Sequence, residues 1–453
     1  MCSAIGPGHK LNSMSPVSLL QELIRNQCVN DGSPESGQEV RSVRTLVDFI
    51  GVEGEVFEPV PGRQSLVYRV PGHDPEAPSL ALVPHLDVVP VDPAGWSRDP
   101  FEAQIDDGFV YGRGAVDMLN VTAAMAAAVR PYLTGDKKPR GDLLFAAVAD
   151  EEAGGRLGAK YLVEEHWSLV SADYLLTEVA YPALTVGGRR TVPVSIGEKG
   201  AYWSFLEAVG TPGHGSVPHG ADNALEKMVL ALEGVINAPS PASVTEEWMG
   251  FVDELGLDPE SVRRLTDVDQ LDDEIDRIAV DDPALARYIH AATHLTISSN
   301  VIRAGTKTNV IADRAHAEVD IRGLPGMDRE FVDAHLQKSM GSASGHIEII
   351  PVMDSEPTVS PVGNALWDAI GDAVEDLDGH RNLAPTMMTV ATDARFWRTK
   401  GTVCYGVGLF DERMGFSEML SLFHGHDERV SAASVERTAL LYETVLERFF
   451  NAS

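Results

Sequence analysis

The sequence predicts an α/β protein, a mixed and mostly parallel sheet flanked by helices and interrupted by a smaller α+β domain. Three observations carry this. Between residues 14 and 198 short β-rich runs alternate with helical patterns, the order that builds parallel strands joined by crossover helices. Near Lys199 the pattern changes to strand, helix, strand, strand, helix, strand, the order of a ferredoxin-like layer. The length of 453 residues also exceeds what one core usually serves, so an inserted or second domain is expected.

Taken in order, the first dozen residues read as loose. SPVSLLQELIRNQCVN then opens on Ser-Pro with apolar residues at helical spacing, and a second helix is expected over 38–50. SLVYRV and SLALVPHLDVV are β runs punctuated by Pro, Gly and Asp, and 116–133 reads as an Ala-rich helix. DLLFAAVA (142–149) has the length and apolarity of a strand buried on both faces. Ligands of such sheets collect at the carboxyl ends of the strands, which points to the turns after Val83 and Ala149. In 199–355, AYWSFLEAVG, LTISSNVI, AHAEVDIRG and HIEIIPVM read as strands, and NALEKMVLALEGVI and REFVDAHLQKSM as helices. An acidic stretch, about 240–290, reads as an inserted helical surface excursion. The α/β style resumes over 356–453 with a helix at 364–376, the strand TVCYGVGL and a last helix at 432–450. The larger domain is therefore expected in two parts, 1–198 and 356–453.

Composition narrows the function. Apolar residues at 44% and charged residues at 23% are those of an ordinary globular protein, which excludes general disorder. With 36 Lys+Arg against 68 Asp+Glu the formal charge is −32, which repels nucleic-acid phosphates and anionic membranes. Three widely spaced cysteines, Cys2, Cys28 and Cys404, build neither a disulfide framework nor a Cys-based zinc site, and fit a reducing compartment. No stretch approaches the ~18 apolar residues of a membrane span, and a cytoplasmic protein is expected.

The residues able to carry chemistry lie at element ends. His85-Leu-Asp87 follows a buried strand; a neutral imidazole binds Zn²⁺ well when a nearby carboxylate fixes its tautomer, although two polar residues at a strand end also occur for purely structural reasons. Gly112-Arg-Gly-Ala-Val-Asp117 delivers one acid to the start of the Ala-rich helix, where an N-cap role is the plain alternative. Asp150-Glu-Glu152 follows the strand 142–149; consecutive acids there repel one another unless cations or protons compensate, or unless they belong to a solvated loop. Glu178 ends LLTEVA, and His424-Gly-His-Asp-Glu428 lies in a Gly-containing loop. Together two histidines and three carboxylates suffice for a pair of divalent ions with a bridging Asp and an open position for water, and one further carboxylate is left to act as base.

The segments HLDVVPVDPAGWSRDPFEAQIDDGFVYGRGAVDM, ADEEAGG, TEVA, GTPGHGSVPHGADNAL and HGHDERV, in this order, resemble the dinuclear-zinc amidohydrolases and exopeptidases that include aminoacylase, acetylornithine deacetylase, succinyl-diaminopimelate desuccinylase and glutamate carboxypeptidase. The resemblance runs from about residue 15 to the end. It implies that His85 and Glu178 bind one zinc, Glu152 and His424 the other, and Asp117 both, with cobalt or manganese as substitutes. His426 is not the ligand position. Asp87 would orient His85, and Glu151 would be the general base. His214, in the inserted dimerisation or lid domain, would reach the neighbouring active site of a homodimer and help hold the oxyanion. Asn309 and Arg322 match positions that bind the substrate carboxylate, and Asp393 and Arg395 match a substrate-facing loop. Leu119-Asn120 and Pro84 depart from the common Lys-Gly and Gly, without removing a ligand. Glu rather than Asp at 178 is the residue of relatives that cleave N-acyl amino acids or C-terminal residues. The implied activity is therefore hydrolysis of an amide in a small carboxylate-bearing substrate, with a dipeptidase as runner-up and a non-catalytic metal- or peptide-binding homologue as the remote alternative.

Overall fold

A computed structural model describes residues 14–451. The loose start expected for the first dozen residues lies outside them. The strand over 142–149 explains the layering of the larger unit: Leu143, Phe145 and Ala147 point to one core, and Leu144, Ala146 and Val148 point to another. The first core is completed by Pro16–Arg25, Val40–Ile50, Leu119–Leu133, Ala365–Asp378 and Ala432–Asn451, and the second by Ala159–Glu165 and Ala394–Arg398. Both faces of the strand are thus covered, which is why its sequence is apolar without alternation.

The sheet itself is mixed. Its centre is parallel, in the order Leu143–Ala147, Leu80–Leu82, Tyr174–Thr177, Val403–Gly406. Antiparallel strands Arg63–Val70 and Glu55–Val60 extend it on one side. On the other, Arg189–Glu198 runs antiparallel to Val403–Gly406 and parallel to Leu383–Met388. The Ala-rich helix begins at Leu119, not Val116, and its N-cap is Met118 with no side-chain cap, so Asp117 is free of the capping role.

The chain leaves this sheet after Glu198 and returns where Thr358 pairs with Glu198. Between them Thr296–Ala304, Arg314–Gly323, Ser204–Val209 and Ile347–Pro351 form a second, antiparallel sheet in that spatial order. Alternate residues Ala315, Ala317, Val319 and Ile321 are buried under the helices Ala224–Asn237 and Arg329–Met340, as a one-faced sheet requires.

The acidic stretch is helical, as expected, but it is packed on the larger unit rather than forming a simple surface excursion. It folds into four helices, Glu246–Glu254, Pro259–Thr266, Val268–Ala279 and Pro283–Thr293. Their apolar faces (Trp248, Phe251, Leu271, Tyr288) pack on Val179, Tyr181, Met388 and Phe416 of the larger unit. Asp272, Asp273 and Asp276 remain outside while Leu271 and Ile275 go in, so the charge marks an amphipathic solvent face rather than a detached one.

Candidate metal centre

The sheet brings the first pair of side chains together. His85 follows Leu80–Leu82 and Glu178 follows Tyr174–Thr177, and these strands are parallel neighbours with Leu82 opposite Leu176. The His85 Nδ1–H donates to the Asp87 carbonyl at 3.0 Å, which leaves Nε2 unprotonated in the neutral ring. That nitrogen faces Asp117 Oδ1 at 3.3 Å and Glu178 Oε2 at 3.7 Å. The other oxygen of Asp117 lies 3.2 Å from His424 Nε2, which in turn lies 3.3 Å from Glu152 Oε2. Glu178, His85, Asp117, His424 and Glu152 thus form one row with Asp117 in the middle.

A lone pair aimed at a carboxylate is repulsive unless a proton or a cation lies between. Protons are one answer. Burial disfavours charge on both rings, but the Asp117 and Glu178 oxygens hold His85 well above the ordinary imidazole range, and those of Asp117 and Glu152 raise His424 to about 10. Conversely, although burial acts the other way, bonds from His424 and His85 hold Asp117 below the usual carboxylate range. Burial, then the Asp117 charge, raises Glu152 to about 7; burial likewise raises Glu178, and burial with the Glu178 charge raises Glu151.

Cations are the better answer. Ligand atoms 2.0–2.1 Å from a tetrahedral Zn²⁺ stand about 3.3 Å from one another, the spacing along most of this row. Glu152 Oε1 and Glu178 Oε1 are buried without a hydrogen-bond partner, which a bound cation would supply. The donor set of imidazole and carboxylate suits zinc and also other divalent first-row metals. The residues present therefore fit two divalent ions, with Glu178 and His85 on one side, Glu152 and His424 on the other, and Asp117 between.

The backbone around the row is unusual. Asp150, Val179 and His424 have φ of 71°, 60° and 56°, left-handed values that are sparse for non-glycine residues and rarest for a β-branched one. Each is a candidate ligand or the chain neighbour of Glu151 or Glu178. Gly406 makes room for this turn, since a Cβ there would come within 1.8 Å of the Glu178 carbonyl oxygen.

Asp87 acts differently from expectation. Its carboxylate approaches His85 Nδ1 only to 3.6 Å, because that ring N–H already donates to the Asp87 backbone. The carboxylate instead accepts the backbone N–H groups of Glu151 and Glu152 at 3.2 and 3.1 Å, and the Asn30 amide at 2.8 Å. It holds the acidic turn. Asp150, the first acid of that turn, faces away and pairs with buried Arg63 at 2.8 Å, which also pairs with Glu39 at 2.9 Å. Glu151 stays in the cleft, its carboxylate grouped with the His85 imidazole and the Glu178 carboxylate, one ligand atom of each lying within 4.8 Å of the others.

A cavity of about 150 Å³ opens above the row, walled by Trp203, Arg322 and Met353 of the second unit and by Val390 and Arg395 of the first. Arg322 places Nε and Nη2 on Asp320 at 2.6 and 3.2 Å and lies 5.4 Å from the Trp203 ring. Arg395 donates to the carbonyls of Gly154 and Thr392. Asp393 does not face the cavity: at 2% exposure its carboxyl is wedged against Gly155, both oxygens unpartnered, and burial raises its pKa well above normal. The reason is the turn at 392–394, which directs its side chain inward while Arg395, two residues on, faces the cleft. His214 and Asn309 lie outside the cavity as well. Both are exposed on adjoining loops of the second unit, where Gly215 N–H donates to the Asn309 carbonyl at 2.9 Å.

Sequence reasoning passed over Asn30, Arg63, Arg113 and Glu428. The last two stood inside motifs already singled out, Gly112-Arg-Gly and His424-Gly-His-Asp-Glu428. Asn30 and Arg63 carry no local signal.

Comparison with known proteins agrees with this geometry. The model of peptidase family M20/M25/M40 matches residues 81–448. A succinyl-diaminopimelate desuccinylase of Rhodospirillum centenum is 27% identical over 444 residues, 96% of this chain and 97% of its own. Aminoacylase-1 of Homo sapiens is 27% identical over 441 residues, 95% of this chain and 94% of its own. An M20 family metallo-carboxypeptidase from Sulfolobus solfataricus shares the fold with a TM-score of 0.73 at 17% identity, covering 96% of this chain and 99% of that one. A di-peptidase from Saccharomyces cerevisiae does so with a TM-score of 0.71 at 16% identity, covering 98% of each. The chain belongs to peptidase family M20/M25/M40 and is a metal-dependent hydrolase of that family.

Proposed function

We propose that the chain is a two-zinc amidohydrolase that cleaves a small carboxylate-bearing amide, an N-acyl amino acid or the C-terminal residue of a short peptide. The observation that carries this is Glu151: a carboxylate in the cleft, within 4.8 Å of the His85 and Glu178 ligand atoms but making none of the close contacts that link the row, on a turn fixed by Asp87. His85 and Glu178 would hold one ion, Glu152 and His424 the other, and Asp117 both. When bound, such ions bring the pKa of water toward ~7 and polarise a carbonyl oxygen. Glu151 takes the proton from the attacking water and later delivers it to the leaving amine nitrogen. Arg322, on the opposite wall, pairs with the substrate carboxylate, and Trp203 and Met353 exclude water beside it.

The second unit is proposed to pair two copies of the chain. On the helix Ala224–Asn237, Leu225, Val229 and Ile236 share one face and are 39%, 50% and 70% exposed, and the edge strand Thr296–Ala304 is paired on one side only. Exposed His214 would then serve the active site of the other copy, and sedimentation tests the state: full activity in a monomer removes that role. A cytoplasmic setting is supported by the buried free thiols of Cys28 and Cys404, and no helix among the described residues is long and apolar enough to cross a membrane.

The reading is tested by assaying N-acetyl-amino acids beside dipeptides on protein supplied with Zn²⁺, Co²⁺ or Mn²⁺. Turnover of the first panel supports it. Turnover of dipeptides alone replaces it with a dipeptidase, and two ions bound with no amide cleaved leaves a binding protein.

A further inference from the structure

Glu428 is fully buried, has no place in the chemistry above, and accepts four hydrogen bonds. Its Oε1 takes the backbone N–H groups of Val116 and Asp117 at 2.7 and 3.2 Å, and its Oε2 takes Gly114 N–H at 3.2 Å and Arg113 Nη1 at 2.7 Å. The other arm of Arg113, Nη2, donates to the His424 carbonyl at 3.2 Å. One buried guanidinium and one buried carboxylate therefore span two loops that lie more than three hundred residues apart in sequence, the loop that presents Asp117 and the loop that presents His424.

The neighbours of Glu428 in its own loop are occupied elsewhere. The His426 ring covers Gly95, where a Cβ would come within 2.3 Å of it, and Asp427 accepts the N–H and hydroxyl of Ser97 at 2.8 and 3.0 Å. These contacts seat the loop on residues 93–97 but leave its distance from Asp117 unset. A short sheet helps, since Arg429–Ser431 pairs with Phe109–Tyr111 and Gly112 N–H donates to the Glu428 carbonyl at 2.9 Å. The side-chain pair supplies the last step, between the strands and the ligands themselves.

As a stability device alone the pair is poorly chosen. Burying two opposite charges costs desolvation that their attraction only roughly offsets, and an apolar pair of similar volume does as well or better. What an apolar pair cannot do is hold three backbone N–H groups and one carbonyl in fixed directions.

We infer that Arg113 and Glu428 are positioning residues for the second cation, fixing the gap between Asp117 and His424 so that both reach the ion that Glu152 also binds. The inference rests on the two-ion reading above. His85 and Glu178 are placed by the sheet and do not depend on the pair, so the two positions separate on its removal.

The test uses full-length wild type, Glu428→Gln and Arg113→Lys, stripped of metal, titrated with Zn²⁺ with bound ions counted per chain, and melted in the metal-free state. Wild type takes two ions. In Glu428→Gln the first ion binds as in wild type and the second about 10–100-fold more weakly, the usual loss when a partner that orients a ligand is removed. Saturating Zn²⁺ restores kcat with KM unchanged. Should Glu428→Gln fail to fold, Arg113→Lys, which keeps the charge and loses the two-armed contact, carries the same expectation. Wild-type affinity for both ions in the variants overturns the inference alone. So does a parallel weakening of both ions with a lowered metal-free melting temperature, the mark of a purely structural pair. A wild type that binds no ion overturns the two-ion reading and the inference with it.

Discussion

The two halves of the candidate metal centre are built by different means. His85 and Glu178 stand at the ends of adjacent parallel strands, and the His85 side chain is 1% exposed. Their separation is a sheet register, fixed by main-chain hydrogen bonds along two buried strands. Glu152 and His424 stand on a short turn, Glu151–Ala153, and on a loop residue with positive φ, and the His424 side chain is 53% exposed. Their separation is set by buried polar side chains, Asp87 under one and Arg113–Glu428 under the other. The lesson is that a sheet can preform half of such a centre, while the half that must be reached from a distant part of the chain needs its own dedicated bonds.

Four experiments break or sharpen this contrast. The largest effect is expected from Glu151→Gln, which keeps the shape and removes the proton acceptor: kcat falls by at least about 10²–10⁴-fold with two ions still bound, as steady-state rates and metal counts would show. Full turnover in this variant removes Glu151 from the role.

Next, His85→Ala and His424→Ala should differ. Loss of the buried ring strands Asp117, Glu151 and Glu178 together without a base between them, so His85→Ala loses both ions and melts lower even without metal, by about 1–3 kcal/mol of stability. His424→Ala keeps one ion, and its metal-free melting temperature stays near that of wild type. Equal behaviour of the two would erase the distinction between the halves.

Third, Arg322→Lys exchanges a planar fork for a point charge. KM for a carboxylate-bearing substrate should rise about tenfold with kcat nearly unchanged, and no change in KM would take Arg322 out of substrate binding.

The smallest effect is on pH. Without ions, burial and the neighbouring acids raise Glu152 to about 7, and Asp117 and Glu152 raise His424 to about 10. Both groups then hold protons in the folded chain that the unfolded chain has released, so the stability these two contribute is present at low pH and is lost as pH rises through about 7 and then about 10. Bound cations replace those protons. The gain in Tm on adding Zn²⁺ should widen between about pH 6 and pH 9, and a gain that narrows over that range contradicts the assignment.

Much of this was legible in the sequence, and the reasons are local. The apolar run 142–149, the β-α-β-β-α-β order after Lys199 and the acids at strand ends are patterns that burial and strand polarity impose over a few residues. Asp117 could be read as an N-cap or a ligand from its position alone; the structure decides because Met118 takes the capping place. Asp87 meets His85 through its backbone carbonyl rather than through the expected carboxylate, and sequence does not distinguish the two. Asp393 reads from sequence as facing the substrate together with Arg395, but the turn at the start of Ala394–Arg398 sends it inward, which a shared segment does not reveal. Arg63 and Asn30 were out of reach, because their significance lies in contacts with Asp150 and Asp87 far along the chain. The acidic stretch misled for a related reason: its charge describes the side facing water and says nothing of what Trp248 and Tyr288 rest upon.

The interruption of the larger unit also dictates an order of events. Four of the proposed ligand positions precede the departure of the chain at Glu198, and the fifth arrives only after its return at Thr358. A nascent polypeptide that has emerged as far as the insertion already carries clustered acids with no histidine to complete the second position. On the two-ion reading, completion of the second position is therefore a late event, following the emergence of everything between Lys199 and Pro357, and any N-terminal fragment that stops short of His424 holds one ion at best.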